Sequence, residues 1–261
     1  MGIIISVGNN KGGVGKTSIS CNLAVALARL QRKVLVVDMD SQCNASGILM
    51  GAELSPDYSL YELLDPDNDS PAPLSQHIYS TKHDGVFCLP NVEQSSALDI
   101  PLGKLTPESF SILRDKLRPY AQKEFDYTFI DNPPSIGLWL SISLYASDFA
   151  LVPIDAGSGY SLDGFRRVLD LINAIHDNAN SDLRFLRLII NRVDLRTSIS
   201  RQVLSLVQNR FGKEQYFATH IPLNTSLQQA EFLKETIFER DQSSRAAKAY
   251  RSLAKELVQF C

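Results

Sequence analysis

A glycine-rich loop with two lysines follows the first apolar segment and constrains the fold more than any other stretch. Residues 3–7 read Ile-Ile-Ile-Ser-Val, and residues 11–18 read Lys-Gly-Gly-Val-Gly-Lys-Thr-Ser. Glycines let successive backbone amides turn inward around an anion, and the helix that follows directs its positive end at the same point. The order of strand, loop and helix is therefore typical of a phosphate-binding loop.

The residue types in this loop fit a nucleoside triphosphate with Mg²⁺. We expect Lys16 to reach the β and γ phosphates as a point charge and Thr17 to place its hydroxyl on Mg²⁺. The common P-loop pattern has glycine at the position of Asn10, and this loop carries an extra lysine, Lys11. The residues expected to hold the phosphates are Gly12, Gly13, Val14, Gly15, Lys16, Thr17 and Ser18.

Residues 11–17 resemble the deviant Walker A loop of the ParA/MinD ATPases, whose signature is the first lysine. In that family the signature lysine crosses a dimer interface and touches the phosphates bound by the other subunit. The resemblance therefore implies that Lys11 links ATP binding to formation of a homodimer. A glycine-rich turn that merely joins a strand to a helix is the alternative, but such a turn needs neither lysine.

A first acidic segment follows the apolar residues 34–37. The carboxyl ends of parallel strands are where a sheet places its ligand-binding residues, so Asp38 and Asp40 are expected beside the phosphates. The segment resembles the first switch of the family, in which Asp40 would orient the attacking water; Ser41 replaces the usual proline. One carboxylate near the γ phosphate is sufficient for slow hydrolysis, because phosphoryl transfer depends mainly on positioning and charge neutralisation.

A second acidic segment follows the apolar residues 127–130. Asp131 resembles the Walker B acid and would hold Mg²⁺ through its water shell. The resemblance thus implies Lys11, Lys16 and Asp40 as catalytic residues and Thr17, Asp40 and Asp131 as metal-binding residues. Asn132 departs from the family's usual threonine or cysteine and is expected to leave an amide near the γ phosphate. For Asp38 and Asp40, the alternative is a strand-end turn without chemistry.

Two later segments resemble the family's base-binding motifs. Asn191 follows the predicted strand 186–190 and would contact the adenine edge. Pro222 and Asn224 follow a last predicted strand, 217–222, and would border the base and ribose; Leu223 stands where relatives have arginine. Asparagine is also common in turns after strands, so a turn without base contact is the alternative reading of Asn191.

Positive charge is concentrated near the end of the chain. The formal net charge is −3, yet residues 187–261 hold 12 Lys and Arg against 7 Asp and Glu. We predict a helix over residues 243–260 with one packed face and one basic face. For the DNA binding that the resemblance implies, the candidate contacts are Arg196, Arg201, Arg245, Lys248, Arg251 and Lys255. A solvated surface without a nucleic-acid partner is the alternative.

The whole chain is predicted to be an α/β protein. A length of 261 residues suits one large α/β domain or two small ones. The resemblance implies that residues 1–261 form a single P-loop NTPase domain with a mostly parallel, twisted sheet flanked by helices on both faces. Helices are predicted over 106–125, with Thr106 as the cap, and over 160–175. Scattered cysteines suggest neither a zinc site nor a disulfide framework, and the absence of a long apolar run predicts a cytoplasmic protein.

The resemblance covers nearly the whole chain outside residues 51–105 and implies a function. It implies an ATPase that uses ATP and Mg²⁺, dimerises on ATP, binds duplex DNA nonspecifically, and is stimulated by a centromere-binding or cargo adaptor of the ParB type. Such a protein drives plasmid or chromosome partition on the nucleoid, without a membrane. The alternatives are a MinD-like ATPase, which needs an additional amphipathic segment, and a small-molecule ligase of the dethiobiotin synthetase type.

Overall fold

A computed structural model describes residues 1–51, 55–68, 72–158 and 161–260, with residues 161–163 described by their backbone alone. Within these residues the sheet has the strand order β3-β4-β2-β5-β1-β6-β7. All neighbouring strands are parallel except β3 and β4. The strands are β1 Ile3–Val7, β2 Val34–Asp38, β3 Tyr79–Ser80, β4 Val86–Leu89, β5 Tyr127–Asp131, β6 Phe149–Asp155 and β7 Arg184–Asn191.

Helices cover both faces of this sheet. They are α1 Lys16–Ala28, α2 Asn44–Met50, α3 Leu60–Leu64, α4 Asp99–Lys104, α5 Ile112–Glu124, α6 Leu138–Ala146, α7 Ser161–Asn178, α8 Ser198–Arg210, α9 Thr225–Leu233, α10 Ile237–Arg240 and α11 Arg245–Phe260. The predicted α/β class with a mostly parallel sheet is confirmed. None of the described helices combines the length and the apolar character that crossing a bilayer requires.

The alternation of side chains along each strand separates the core into two layers. On β6, Leu151 packs with α1, α2 and α11, whereas Ala150 and Val152 pack with α6, α7 and α8. Successive strand residues point to opposite faces, so α11 lies on one side of the sheet and the pair α7 and α8 on the other. The central strands are therefore buried on both faces, which explains their continuous apolar sequences.

The predicted last strand at 217–222 is wrong as a regular strand. This segment runs beside β7 without regular strand pairing. The two isolated bridges join Leu188 of β7 with Tyr216, just before the segment, and Val193, just after β7, with Pro222. The physical reason is competition for its amides, because the Ala218 and Thr219 N–H groups donate to the carboxylate of Glu256 at 2.7 and 3.0 Å. Backbone bonds to Leu188 and Ile190 still hold the segment at the edge of the sheet.

Two helix boundaries also differ from the sequence prediction. The helix predicted over 106–125 begins at Ile112, after a 3₁₀ turn over Glu108–Ser111. Thr106 does not cap it, because its hydroxyl donates to the Gly103 carbonyl at 2.9 Å. The helix predicted over 160–175 spans Ser161–Asn178, and Tyr160 lies outside the described residues. The predicted amphipathic helix near the end is confirmed over Arg245–Phe260, with Tyr250 and Leu253 among its buried residues.

Candidate nucleotide-binding site

The loop between β1 and α1 has the backbone that its glycines predicted. Gly13 and Gly15 lie in the left-handed region, with φ of 75° and 92°. At Gly15 there is a second constraint, because a Cβ atom would lie 2.1 Å from the amide nitrogen of Asn191. Any side chain at position 15 would therefore displace the loop or the side chain of Asn191.

The two lysines of the loop point to different places. Lys16 is buried, lies among the residues that line the cleft above the loop, and donates to the Lys11 carbonyl at 3.3 Å. Burial lowers the pKa of Lys16, while the charges of Asp131 and Asp40 oppose that shift. Lys11 instead reaches out of the loop and donates from Nζ to the hydroxyl of Ser158 at 2.5 Å. Of the two lysines, only Lys16 thus lines the cleft.

A hydroxyl and a carboxylate meet at the first turn of α1. Thr17 Oγ1 donates to one Asp131 oxygen at 2.7 Å, and Ser20 Oγ donates to the other at 2.9 Å. Burial, with a smaller contribution from the charge of Asp38, raises the pKa of Asp131 to about 7. A buried carboxylate held near its protonation point is stabilised when a cation approaches, so this pair fits Mg²⁺ and its water shell.

Asp38 and Asp40 have separate roles in the structure. Asp38 is fully buried and accepts from the amide of Ser46 at 2.8 Å, from its hydroxyl at 2.7 Å, and from the Asp40 amide at 3.1 Å. It therefore fixes the backbone of the loop after β2. Asp40 is partly exposed and lies in the cleft, where Oδ1 accepts from the Gln42 amide at 3.0 Å. Only Asp40 of these two is free to meet a ligand.

The cleft above the loop has a volume of about 380 Å³. Its floor is made by the loop, its polar wall by Asp40 and Gln42, and its far wall by Arg192 and Phe232. Backbone amides and a buried lysine suit the phosphates, and Thr17 with Asp131 supplies the hard oxygen donors that Mg²⁺ prefers. The residues present therefore fit Mg²⁺ and a nucleoside triphosphate.

Asn191 stabilises the loop by a hydrogen bond on the side away from the cleft. Its amide nitrogen donates to the Val14 carbonyl at 2.9 Å, and its oxygen accepts from the Arg192 amide at 2.9 Å. At 1% exposure, the side chain does not line the cleft. Contact with adenine would require these bonds to be exchanged, so the base-recognition role of Asn191 stays a prediction.

Arg192 is a site residue that the sequence analysis missed. Its Nη1 donates to the Gly13 carbonyl at 2.7 Å, and its Nη2 lies 3.3 Å from the Glu231 carboxylate of α9. The backbone places it there through a left-handed conformation, φ 56°. Only its position next to Asn191 could have drawn attention to it, because an arginine in a turn has no distinctive spacing.

The structure places the other predicted base contacts outside the cleft. Asn224 caps α9 by accepting from the Leu227 amide at 3.0 Å. Pro222 lines a neighbouring hollow of about 430 Å³ together with Leu223, Arg196 and Arg245. Their contacts with base and ribose therefore stay predictions.

Asn132 does not point at the phosphates as expected. Its amide nitrogen donates to the Ser6 hydroxyl and to the Val7 and Ile130 carbonyls, at 3.0, 3.0 and 3.1 Å. At 1% exposure, the side chain lies between β5 and β1. The expectation of an amide near the γ phosphate is wrong, because the strand ends offer three buried acceptors.

The six candidate DNA contacts fall into two groups. Arg196 pairs with Asp194 at 2.8 Å, Arg201 donates to the Leu195 carbonyl at 2.8 Å, and Arg251 donates to the Gln242 carbonyl at 3.0 Å. The others, Arg245, Lys248 and Lys255, are exposed along α11. Their side chains form no hydrogen bond or ion pair with any described residue, although the pKa of Asp194 is lowered mainly by Arg196 and also by the charge of Arg245. The basic face of α11 is therefore the part of this set with unpaired charge.

Comparison with known proteins identifies the family. A family model described as an AAA domain matches residues 2–185. The chain is 33% identical to the chromosome partitioning protein ParA of Myxococcus xanthus, over 99% of this chain and 88% of that protein. It is also 33% identical to the sporulation initiation inhibitor protein Soj of Bacillus subtilis, over 99% of both chains.

A solved structure shares the fold over the same length. Cobyrinic acid a,c-diamide synthase from Mycobacterium smegmatis, with a bound ATP analog and magnesium, superposes with a TM-score of 0.83. The two chains are 26% identical over 99% of this chain and 95% of that one. Three observations point to one family. They are the glycine loop with its two lysines, the acids at the ends of β2 and β5, and the full-length similarity. The chain belongs to the ParA/Soj family of partition ATPases, which share the AAA domain.

Proposed function

We propose that this protein is an ATP-dependent dimerising ATPase that binds DNA nonspecifically and positions a plasmid, a chromosome or another cargo. The observation that carries the proposal is the divergence of the two loop lysines. Lys16 lines the cleft, whereas Lys11 turns away to Ser158 although both belong to the same loop. A lysine that its own site does not use is available to the nucleotide of a second subunit.

The chain's own residues account for slow hydrolysis. Lys16 and the loop amides would hold the phosphates and offset their charge. Thr17 with Asp131 would hold Mg²⁺, which when bound would supply charge neutralisation on the transferring group. Asp40, at the side of the cleft, orients the attacking water and accepts its hydrogen bond. Since Lys11 would arrive only with the partner subunit, full charge neutralisation requires the dimer, and turnover in the monomer is slow.

DNA binding is assigned to the exposed face of α11. The side chains of Arg245, Lys248 and Lys255 form no hydrogen bond or ion pair with a described residue, so their charges are available to displace counterions from a phosphate backbone. If each neutralises one phosphate, the logarithm of the affinity falls by about 2.7 per tenfold increase in salt for each subunit. Binding to DNA would place the protein on the nucleoid, and an adaptor of the ParB type would stimulate its hydrolysis.

A gel shift with duplex DNA tests the proposal directly. The unchanged protein is mixed with ATP, ADP or no nucleotide at two salt concentrations. We expect retention only with ATP, and weaker retention at the higher salt. A Lys248→Gln, Lys255→Gln variant should lose most of the retention, whereas Arg184→Gln, an exposed arginine of β7, serves as the matched control. Equal retention under all three nucleotide conditions would contradict the proposal.

A small-molecule ligase is the second candidate, favoured by the fold shared with cobyrinic acid a,c-diamide synthase. The two functions differ in what accelerates hydrolysis. A ligase hydrolyses ATP only when a carboxylated substrate accepts the phosphoryl group, whereas a partition ATPase responds to DNA and to an adaptor protein. Measuring phosphate release with and without duplex DNA separates them, and stimulation by DNA favours partition.

A further inference from the structure

A groove between α7 and α8 is lined by three arginines that neither the nucleotide site nor the DNA surface uses. Arg166 and Arg167 come from α7, and Arg210 is the last residue of α8. The groove has a volume of about 480 Å³, and all three side chains are exposed. We call it the arginine groove.

None of these arginines has a partner within the part of the chain that the structure describes. The side chains of Arg166, Arg167 and Arg210 take part in no hydrogen bond, ion pair or ring contact there. In the same chain, Arg118, Arg192 and Arg196 all lie within 4 Å of a carboxylate oxygen. Three unpaired guanidinium groups around one hollow repel each other, and an anionic ligand would remove that repulsion.

The floor of the groove is apolar. Phe211 packs edge-on against the buried ring of Phe165, with the ring centres 5.3 Å apart and the planes at 79°. Phe211 itself is only partly buried, and Leu169 lies beside it. An occupant would therefore gain from placing an apolar side chain between its charged groups.

We propose that the arginine groove binds an acidic peptide segment of a partner protein. A guanidinium forms two parallel bonds with one carboxylate, so three arginines suit glutamate or aspartate side chains that flank an apolar residue. Asp170 lies in the same groove and leaves it with a net charge of about +2, which fits a mixed peptide better than a continuous phosphate backbone. The site is independent of the proposed DNA surface, because α11 lies on the opposite face of the sheet.

Fluorescence anisotropy tests this assignment. The probe is a labelled synthetic peptide with glutamates on both sides of a leucine, and a short labelled DNA duplex is the comparison. A double variant, Arg166→Gln with Arg167→Gln, should bind the peptide about tenfold more weakly and retain DNA in the presence of ATP. A Lys248→Gln, Lys255→Gln variant should show the reverse pattern.

The peptide measurement has one control variant and three outcomes that would contradict the proposal. Arg184→Gln removes an exposed arginine outside the groove and should leave peptide affinity unchanged; circular dichroism of each variant checks the fold. The proposal is overturned if the peptide does not bind, if the groove variant binds it as well as the unchanged protein, or if the groove variant loses DNA instead. Because the peptide measurements need no nucleotide, their failure would leave the ATPase proposal standing.

Discussion

Replacing Asp131 by asparagine should stabilise the protein in the absence of nucleotide while weakening its hold on Mg²⁺. Asp131 and Asp38 are paired in register on β5 and β2, and both are fully buried. Burial first, and then the charge of Asp38, raise the pKa of Asp131 from 3.8 to about 7. An asparagine side chain would have nearly the same shape as the aspartate without its charge. The site carries an electrostatic penalty that the cation is expected to relieve.

The size and the pH dependence of this change in the free energy of unfolding follow from the difference in proton binding between the folded and unfolded states. Because the folded pKa is raised, the folded state binds more protons than the unfolded state between about pH 4 and pH 7. The destabilisation of the folded state by ionised Asp131 therefore grows as the pH rises through this window, and it is fully present above pH 7. About three pKa units correspond to about 4 kcal/mol, and a lost hydrogen bond from Thr17 or Ser20 reduces the net gain to about 2–3 kcal/mol.

Urea unfolding at pH 5 and pH 8, without nucleotide or Mg²⁺, measures this effect. Asp131→Asn should raise the free energy of unfolding at pH 8 and change it little, or lower it, at pH 5. Asp177→Asn is the matched control, because Asp177 lies exposed on α7. In the presence of Mg²⁺, the variant should bind ATP at least about tenfold more weakly. A gain that is absent at pH 8, or equal at both pH values, would refute the reasoning.

Three further predictions concern the loop and the first acidic segment. Lys11→Ala should abolish the ATP-dependent dimer in light scattering while ATP still binds; an unaffected dimer would exclude contact across the interface. Asp40→Ala should bind ATP, form a persistent dimer and hydrolyse ATP about a hundredfold more slowly, and rapid phosphate release would remove Asp40 from the mechanism. Ser158→Ala removes the acceptor of Lys11, so dimerisation should occur at about fivefold lower protein concentration, and a shift to higher concentration would contradict this.

Local patterns were sufficient to predict the centre of the molecule. The glycines of the loop, the apolar strands before Asp38 and Asp131, and the two faces of α11 each have a spacing that one kind of structure explains. Parallel strands then bring the loop and the acids to one edge of the sheet, which the topology confirms. The positions of Lys16, Thr17 and Asp40 around one cleft follow from this arrangement.

Contacts between distant parts of the chain could not be predicted. The Glu256 carboxylate accepts hydrogen bonds from the amides of Ala218 and Thr219, which lie 38 and 37 residues before it. These bonds prevent a regular strand there. The same limit applies to the basic residues, since the Arg251 and Arg201 side chains are held by backbone carbonyls that no sequence pattern marks. Charge alone therefore overestimated the number of arginines free to meet DNA.

Hydrogen bonds behind the phosphate-binding loop connect the nucleotide cleft to the segment beside α11. Asn191 holds the Val14 carbonyl, and two residues later the Val193 amide donates to the Ile221 carbonyl at 3.0 Å. The Leu223 amide returns a bond to the Val193 carbonyl at 2.9 Å, and Leu223 lines the hollow that contains Arg245, at the start of α11. A movement of the loop on binding ATP would therefore reach the segment beside α11 through these hydrogen bonds. Nucleotide-dependent DNA binding would then need no separate domain, because the residues that sense the phosphates and those that border the basic surface belong to one connected edge of the sheet.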